Sequence, residues 1–226
     1  MLEAIYAAFS HGWDEAFSDD PRGRDLSGEA IWLGRLVVSL APGEPEAQGL
    51  LALMLYADAR RAARRDPSGR YVPLSEQDCS SWDAAAIDEA EQLLRLASGA
   101  KAPGRFQLEA AVQSAHVARR ATGATDWEAI GHIYEALDRM TGSPVVAVNR
   151  AAAVAHTHGP KAGLALLDAV AGEKLEGFEP YWVARADLSA KAGDVEGARK
   201  AYAIAIGLQT DAAARDFLAA RLAALA

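Results

Sequence analysis

The chain has 226 residues and a formal net charge of −8, from 23 Lys and Arg against 31 Asp and Glu. That balance speaks against a chain that holds nucleic acid by itself, because phosphate binding needs a basic face. The hydrophobic fraction of 51% is mostly alanine and leucine, with short β-branched runs, which disfavours a sheet protein and points to an all-α fold with a sizeable core.

In chain order, Leu2 to Trp13 reads as a short helix with Ile5 and Phe9 on one face. Glu3 and the lack of a basic n-region distinguish this start from a signal peptide. Phe17 to Gly23 reads as a loop. Asp25 or Ser27 then caps a helix from about Leu26 to Leu40, with Ile31, Leu33, Leu36 and Val37 as the expected core stripe. Pro45 opens a helix that is apolar nearly all round from Leu50 to Tyr56 and Arg-rich at its end. The longest apolar run, Leu50 to Ala57, falls well short of the ~20 residues of a membrane span.

Between about 64 and 74, Asp66-Pro67-Ser68-Gly69 is turn chemistry and Tyr71-Val72 favours extended backbone, so a small inserted β-hairpin is expected there. Ser80, followed three residues later by Asp83, approximates a capping box for a helix running to about Ser98. Ser98 to Gly104 is the most linker-like stretch. It divides an N-terminal half, 1–98, from a repeat half, 104–226, within what reads as one continuous domain. Arg105 to Ala121 is helical, and Asp126 caps the next helix, whose apolar face is Ile130, Ile133, Tyr134 and Leu137. Ser143-Pro144 starts another, and Gly159-Pro160 ends it and opens its successor. The helix between them is rich in alanine and should sit centrally. Gly172 to Glu179 reads as a loop, and helices follow at Pro180 to Ala192, Asp194 to Ile206 and Asp211 to Leu225.

A repeat runs through this half. Ala129, Ile133, Ala136 and Leu137 recur as Ala162, Leu166, Ala169 and Val170, and again as Ala198, Tyr202, Ala205 and Ile206, at spacings of 33 and 36 residues, with a weaker copy at Ala90, Leu94 and Ala97. A period of about 34 is that of tetratricopeptide (TPR) helical hairpins. Ten or eleven helices are expected, with antiparallel pairs across 104–137, 143–171 and 179–206.

No catalytic constellation stands out. The histidines at 11, 116, 132, 156 and 158 lack metal-ligand spacing, there is no phosphate loop or nucleophile elbow, and Cys79 reads as a bystander thiol in a reducing, cytoplasmic setting. No metal, cofactor or enzymatic role is expected. The one basic cluster, Arg60, Arg61, Arg64, Arg65 and Arg70, reads either as a solvated helix end with local ion pairs or as a docking patch for an acidic partner, and Arg60, Arg61 and Arg64 with Gln77, Asp78 and Trp82 are the candidate interaction surface. Trp32, Trp82, Trp127 and Trp182 read as core. Asp126, Asn149 and Arg150 form a candidate buried polar network. Arg150 shares a face with Val146 and Val154 and should be buried against Asp126, Asp168 or Asp187.

The segments LLALMLYADARR, QDCSSWD, GRFQLEAAVQSAH, TDWEAIGHIYEAL, SPVVAVNRAAAVA, GPKAGLALLD and ARADLSAKAG, in that order, resemble the C-terminal extension of a group of bacterial extracytoplasmic-function (ECF) sigma factors. Cys79 and Ser81 stand where that family commonly has arginine, and Ser10, His11 and Trp13 depart from its pattern near the start. The resemblance implies a TPR-like, non-catalytic regulatory domain. Its partners would be core RNA polymerase, the sigma regions of the same polypeptide or a regulator protein. Promoter DNA and membrane would not be contacted by this chain. A stand-alone TPR-like scaffold binding a peptide or small ligand is the alternative.

Overall fold

A computed structural model of the chain describes residues 1–14 and 21–225. Among these the fold is all-α, with eleven helices of eleven residues or longer, two of a single turn, and no strand. They fall into two compact units. The first comprises residues 1–62 and 78–125, and the second comprises 63–77 and 126–226. The division lies at Thr125, not at the linker-like stretch 98–104. The Arg-rich segment after the third helix belongs with the C-terminal helices.

The first unit is built around α3 (Pro45–Asp58), in which every residue from Ala47 to Tyr56 is buried. A helix without a polar face must be covered on all sides. Here α1 (Leu2–Asp14), α2 (Pro21–Leu40), α4 (Ala84–Ser98) and α5 (Arg105–Val117) supply that cover. Asp83 caps α4 by accepting from the Ala86 amide, so the cap is Asp83 and not Ser80, which lies in a separate turn. The expected helix 105–121 breaks at Ala118 into α5 and the single turn α6 (Arg119–Thr122), closed by Gly123 at φ 74°.

The second unit is organised around α8 (Pro144–His158), which packs on α7 (Trp127–Thr141), α9 (Pro160–Val170) and α11 (Glu179–Lys191). Its alanines do what their size allows: Ala151 and Ala153 are fully covered. α8 and α9 are joined by the single residue Gly159, whose φ of 85° no β-carbon tolerates well, followed by Pro160 at the first helical position. At Gly163 a β-carbon would lie 2.8 Å from the Ala151 carbonyl, from the Ala155 Cβ and from Leu188 Cδ1, so only hydrogen lets α9 close on α8 and α11. α11 and α12 (Val195–Leu208) form a second helical hairpin through Gly193 and the Asp194 cap. α13 (Ala212–Ala223) closes the array over Tyr202 and Ala205. The expected loop after Gly172 contains one further turn, α10 (Glu173–Glu176). The helix at 105–117 is a member of the first unit, covering α3, so the expected pairing across 104–137 is replaced by α7 on α8.

Residues 64–72 do not form the expected β-hairpin. One isolated antiparallel bridge joins Arg65 to Tyr71, and a single side chain folds the turn. Asp66 accepts from the Ser68 amide (2.9 Å) and hydroxyl (2.7 Å) and from the Arg70 amide (3.0 Å) and Nε (2.8 Å). Those donors, the Ser68 hydroxyl first, hold its carboxyl far below the ordinary range. Pro73, which has no N–H to give a ladder, stops any extension of the pair. The turn is instead held to α13: Tyr71 meets Phe217 edge-on at 5.4 Å, Arg65 pairs with Asp211, and Arg221 reaches Glu76 at 3.3 Å.

Candidate interaction surfaces

The basic cluster is not an open patch. Arg60 is only 8% exposed. Its Nε donates to the Tyr56 carbonyl at 3.0 Å, its Nη2 donates to Gln113, and its plane lies 6.0 Å from the Trp82 ring. Trp82 is itself buried and is approached on another side by Arg119, at 5.0 Å, whose Nε donates to the Cys79 sulfur. Arg61 donates to Asp58 and to the fully covered Ser27 hydroxyl and lies over Trp13. These arginines are struts at the end of α3, where stacking and bidentate donors suit a guanidinium better than an ammonium. Asp78 is exposed and spends its carboxylate on the amide and hydroxyl of Ser80, which keep it below the usual carboxylate range. In the second unit, the Arg64 carbonyl accepts from Val72 and Gln77 is buried with its amide donating to the Val72 carbonyl. Of the six residues expected to make a surface, Arg60, Gln77 and Trp82 are therefore core.

The expected buried network is also differently built. Asp126 is exposed and caps α7 through the Ala129 amide, and Asn149 is exposed. Arg150 is about one-third exposed at its side chain and pairs with Asp138, one turn before the end of α7, at 3.1 Å. Asp168, proposed as its partner, binds Arg185 at 2.6 Å, and Asp187 binds Lys191 at 2.6 Å. The cause is geometry. α8 is central but its face at 149–150 looks outward past α7, so the arginine finds the nearest half-exposed carboxylate.

The open feature is one that sequence periodicity placed in the core. On α2 the covered residues are Ser27, Ala30, Ile31 and Gly34, at helical spacing. A β-carbon on Gly34 would come within 2.8 Å of Met54 Cε. The helix thus packs on α3 by its small side, and its large residues face out: Trp32 is 62% exposed and Leu40 77%, with Leu33 and Leu36 also open. Trp32 is therefore surface, whereas Trp127 and Trp182 are half-buried. Trp127 stacks on His156 with ring centroids 3.6 Å apart and planes 3° from parallel, and Trp182 donates to the Glu176 carbonyl at 2.8 Å. The signal for the α2 face was present in the chain as the spacing of Ser27, Ala30, Ile31 and Gly34, a strip of mostly small residues that lets two helices approach closely.

A second open feature lies between α4 and α5, a cavity of about 440 Å³ with apolar walls from Leu94, Pro103, Leu108 and Ala111 and with Glu91, Arg95 and Lys101 also lining it. Among the described residues no group of three or more His, Cys, Asp or Glu side chains is placed to hold a metal ion, and no helix is long and apolar enough to cross a membrane.

Residues 1–98 match the model of a family of unknown function, DUF6596. An uncharacterized protein of Rhizobium meliloti (strain 1021) is 38% identical over 222 residues, which is 98% of this chain and 52% of the relative. The chain therefore spans about half the length of the curated relative it matches. No solved structure matches it. The chain is thus similar, over almost all its length, to one portion of a protein about twice as long.

Proposed function

We propose that this chain is a non-catalytic interaction domain of an extracytoplasmic-function sigma factor, modulating transcription initiation from the cytoplasm by protein contact. The hairpins α8–α9 and α11–α12 would form its TPR-like array. The observation that carries the reading is the outward face of α2. Trp32, Leu33, Leu36 and Leu40 make a contiguous exposed apolar stripe on a chain of net charge −8, the kind of feature that marks a protein-binding site. The relative carries about as much polypeptide again outside the matched region, and a partner for such a face would lie there. The sigma regions, core polymerase or a regulator protein are the partners the resemblance supplies.

The test uses the longer polypeptide. Replacing Trp32 and Leu36 by glutamate is expected to leave the melting temperature unchanged, since both side chains already meet water. It should also change transcription from the target promoter and weaken binding to the sigma regions or core polymerase more than tenfold, as loss of an aromatic anchor does. Unaltered binding and transcription by the folded variant would overturn the reading. The isolated chain, titrated with promoter DNA at physiological salt, is expected to show no binding, because an acidic chain offers no basic face with which to neutralise the phosphates.

A further inference from the structure

The cavity between α4 and α5 is built differently from the α2 face, and what it shows holds whether or not that face docks a partner. Its walls come from Leu94, Pro103, Leu108 and Ala111, and its charged groups are Glu91, Arg95 and Lys101. Glu91 is already engaged: its Oε1 accepts from the Tyr56 hydroxyl at 2.7 Å and from the Ser114 hydroxyl at 2.8 Å. Arg95 stands 3.8 Å from the other oxygen, a contact with no hydrogen bond in it, and its side chain is 68% exposed. Lys101 has no carboxylate within salt-bridge reach among the described residues. Two cations against one occupied carboxylate give this cavity a positive rim on a chain whose net charge is −8.

The rim is also held in a costly shape. Lys101 has φ 54°, the one non-glycine residue at positive φ among those described. Such a conformation persists where the surroundings over-determine it, and such residues cluster at ligand clamps. Here the Lys101 amide donates to Ser98 at 3.2 Å, and the neighbouring Ala102 carbonyl accepts from the buried Gln107 side chain at 3.1 Å. Gln107 in turn is fixed by Glu46, which accepts from its amide and its side chain and from the Phe106 amide. A β-carbon at Gly104 would lie 2.2 Å from the Glu46 carboxyl carbon, so the loop is seated against α3 by design of its residues.

We propose that this cavity binds a small amphipathic carboxylate, an acyl or aryl acid, whose anionic end meets Arg95 and Lys101 and whose apolar body lies on Leu94, Pro103 and Leu108. The volume of about 440 Å³ is that of a site for a small organic molecule. A guanidinium with open donors and a free ammonium select a carboxylate over an alcohol or an amine.

The experiment titrates the ¹⁵N-labelled full chain with octanoate, and in parallel with 1-octanol and octylamine. Octanoate is expected to shift amide resonances between residues 91 and 111 saturably, with the alcohol binding at least tenfold more weakly and the amine not at all. Arg95→Gln and Lys101→Gly should each weaken octanoate about tenfold. Lys101→Gly is the informative variant, because glycine relieves the positive φ. The protein should melt no lower than the parent while binding worsens, an outcome a purely structural lysine would not give. Ala111→Leu, which fills the cavity, should abolish binding with the fold intact. Absence of saturable shifts up to the solubility of octanoate, equal binding of octylamine, or undiminished binding by the two charge variants would each overturn the proposal.

Discussion

Two arginines, Arg60 and Arg150, do different work. Arg60 is buried, bonded to the Tyr56 carbonyl and Gln113 and set over the Trp82 ring, so removing it strands the buried Tyr56 acceptor. Arg60→Ala is expected to cost on the order of 2–4 kcal/mol, read as a fall in denaturation midpoint. Arg150 and Asp138 are each about one-third exposed, and solvent screens their attraction. Arg150→Ala is expected to cost about 1 kcal/mol or less. The side chain of His156 carries a pH signal. Its imidazole is held below the ordinary histidine range, first by burial against its neighbours and then by the Lys191 ammonium, with Asp187 opposing. The folded chain therefore takes up that proton at lower pH than the unfolded chain does. Stability contributed by the neutral ring is complete above the unfolded value of about 6.5 and is lost as pH falls from there through the lower folded value. Urea midpoints taken between about pH 5 and pH 8 should decline toward acid, and His156→Phe, which keeps the stack on Trp127, should flatten the decline.

At the scale of the helix, side-chain size decided more than hydrophobicity. α2 reads by apolar periodicity as a helix that buries Leu33 and Leu36, yet it packs through Ser27, Ala30, Ile31 and Gly34. Close approach of two backbones gains many dispersion contacts per residue, and the small face was the one that matched α3, leaving the bulky face out. The same rule governs α9, where Gly163 sits against Ala151, Ala155 and Leu188. Gly163→Ala adds helix propensity of about 0.5–1 kcal/mol. It also forces a 2.8 Å contact with backbone. Overpacking of that kind costs about 1–3 kcal/mol, so the net expectation is a loss of about 1–2 kcal/mol in chemical denaturation. Caps and turns were legible because their chemistry is local: Asp126, Pro144, Gly159-Pro160 and Asp194 all stand where their residue types require. The periodic alanines were legible in part. Ala90, Ala97, Ala198 and Ala205 are fully covered, but in α9 the covered positions are Gly163 and Leu167, one residue on from Ala162 and Leu166. The β-hairpin, the Arg60 patch and the Arg150 network were misread for one reason. Each depended on which distant element lies alongside, and no local pattern carries that.

The whole molecule is two units whose borders ignore the order of the chain, because residues 63–77 belong with 126–226. Neither the composition nor the linker-like stretch at 98–104 announces this. Within the second unit the turn at Asp66 is complete in itself, but what it leans on is far away: Tyr71 against Phe217, Arg65 on Asp211, Glu76 under Arg221. Those partners are separated from it by nearly the full length of the unit's own helices. On the ribosome, elongation at roughly 5–20 residues per second puts about 7–30 seconds between the emergence of Arg65 and that of Asp211, residues 146 apart in sequence. For that interval the nascent chain holds a folded turn with its aromatic and its guanidinium uncovered until α13 is made. A nascent chain stalled before α13 should thus expose Tyr71 to protease and to chaperone, and emergence of α13 should close the site at once.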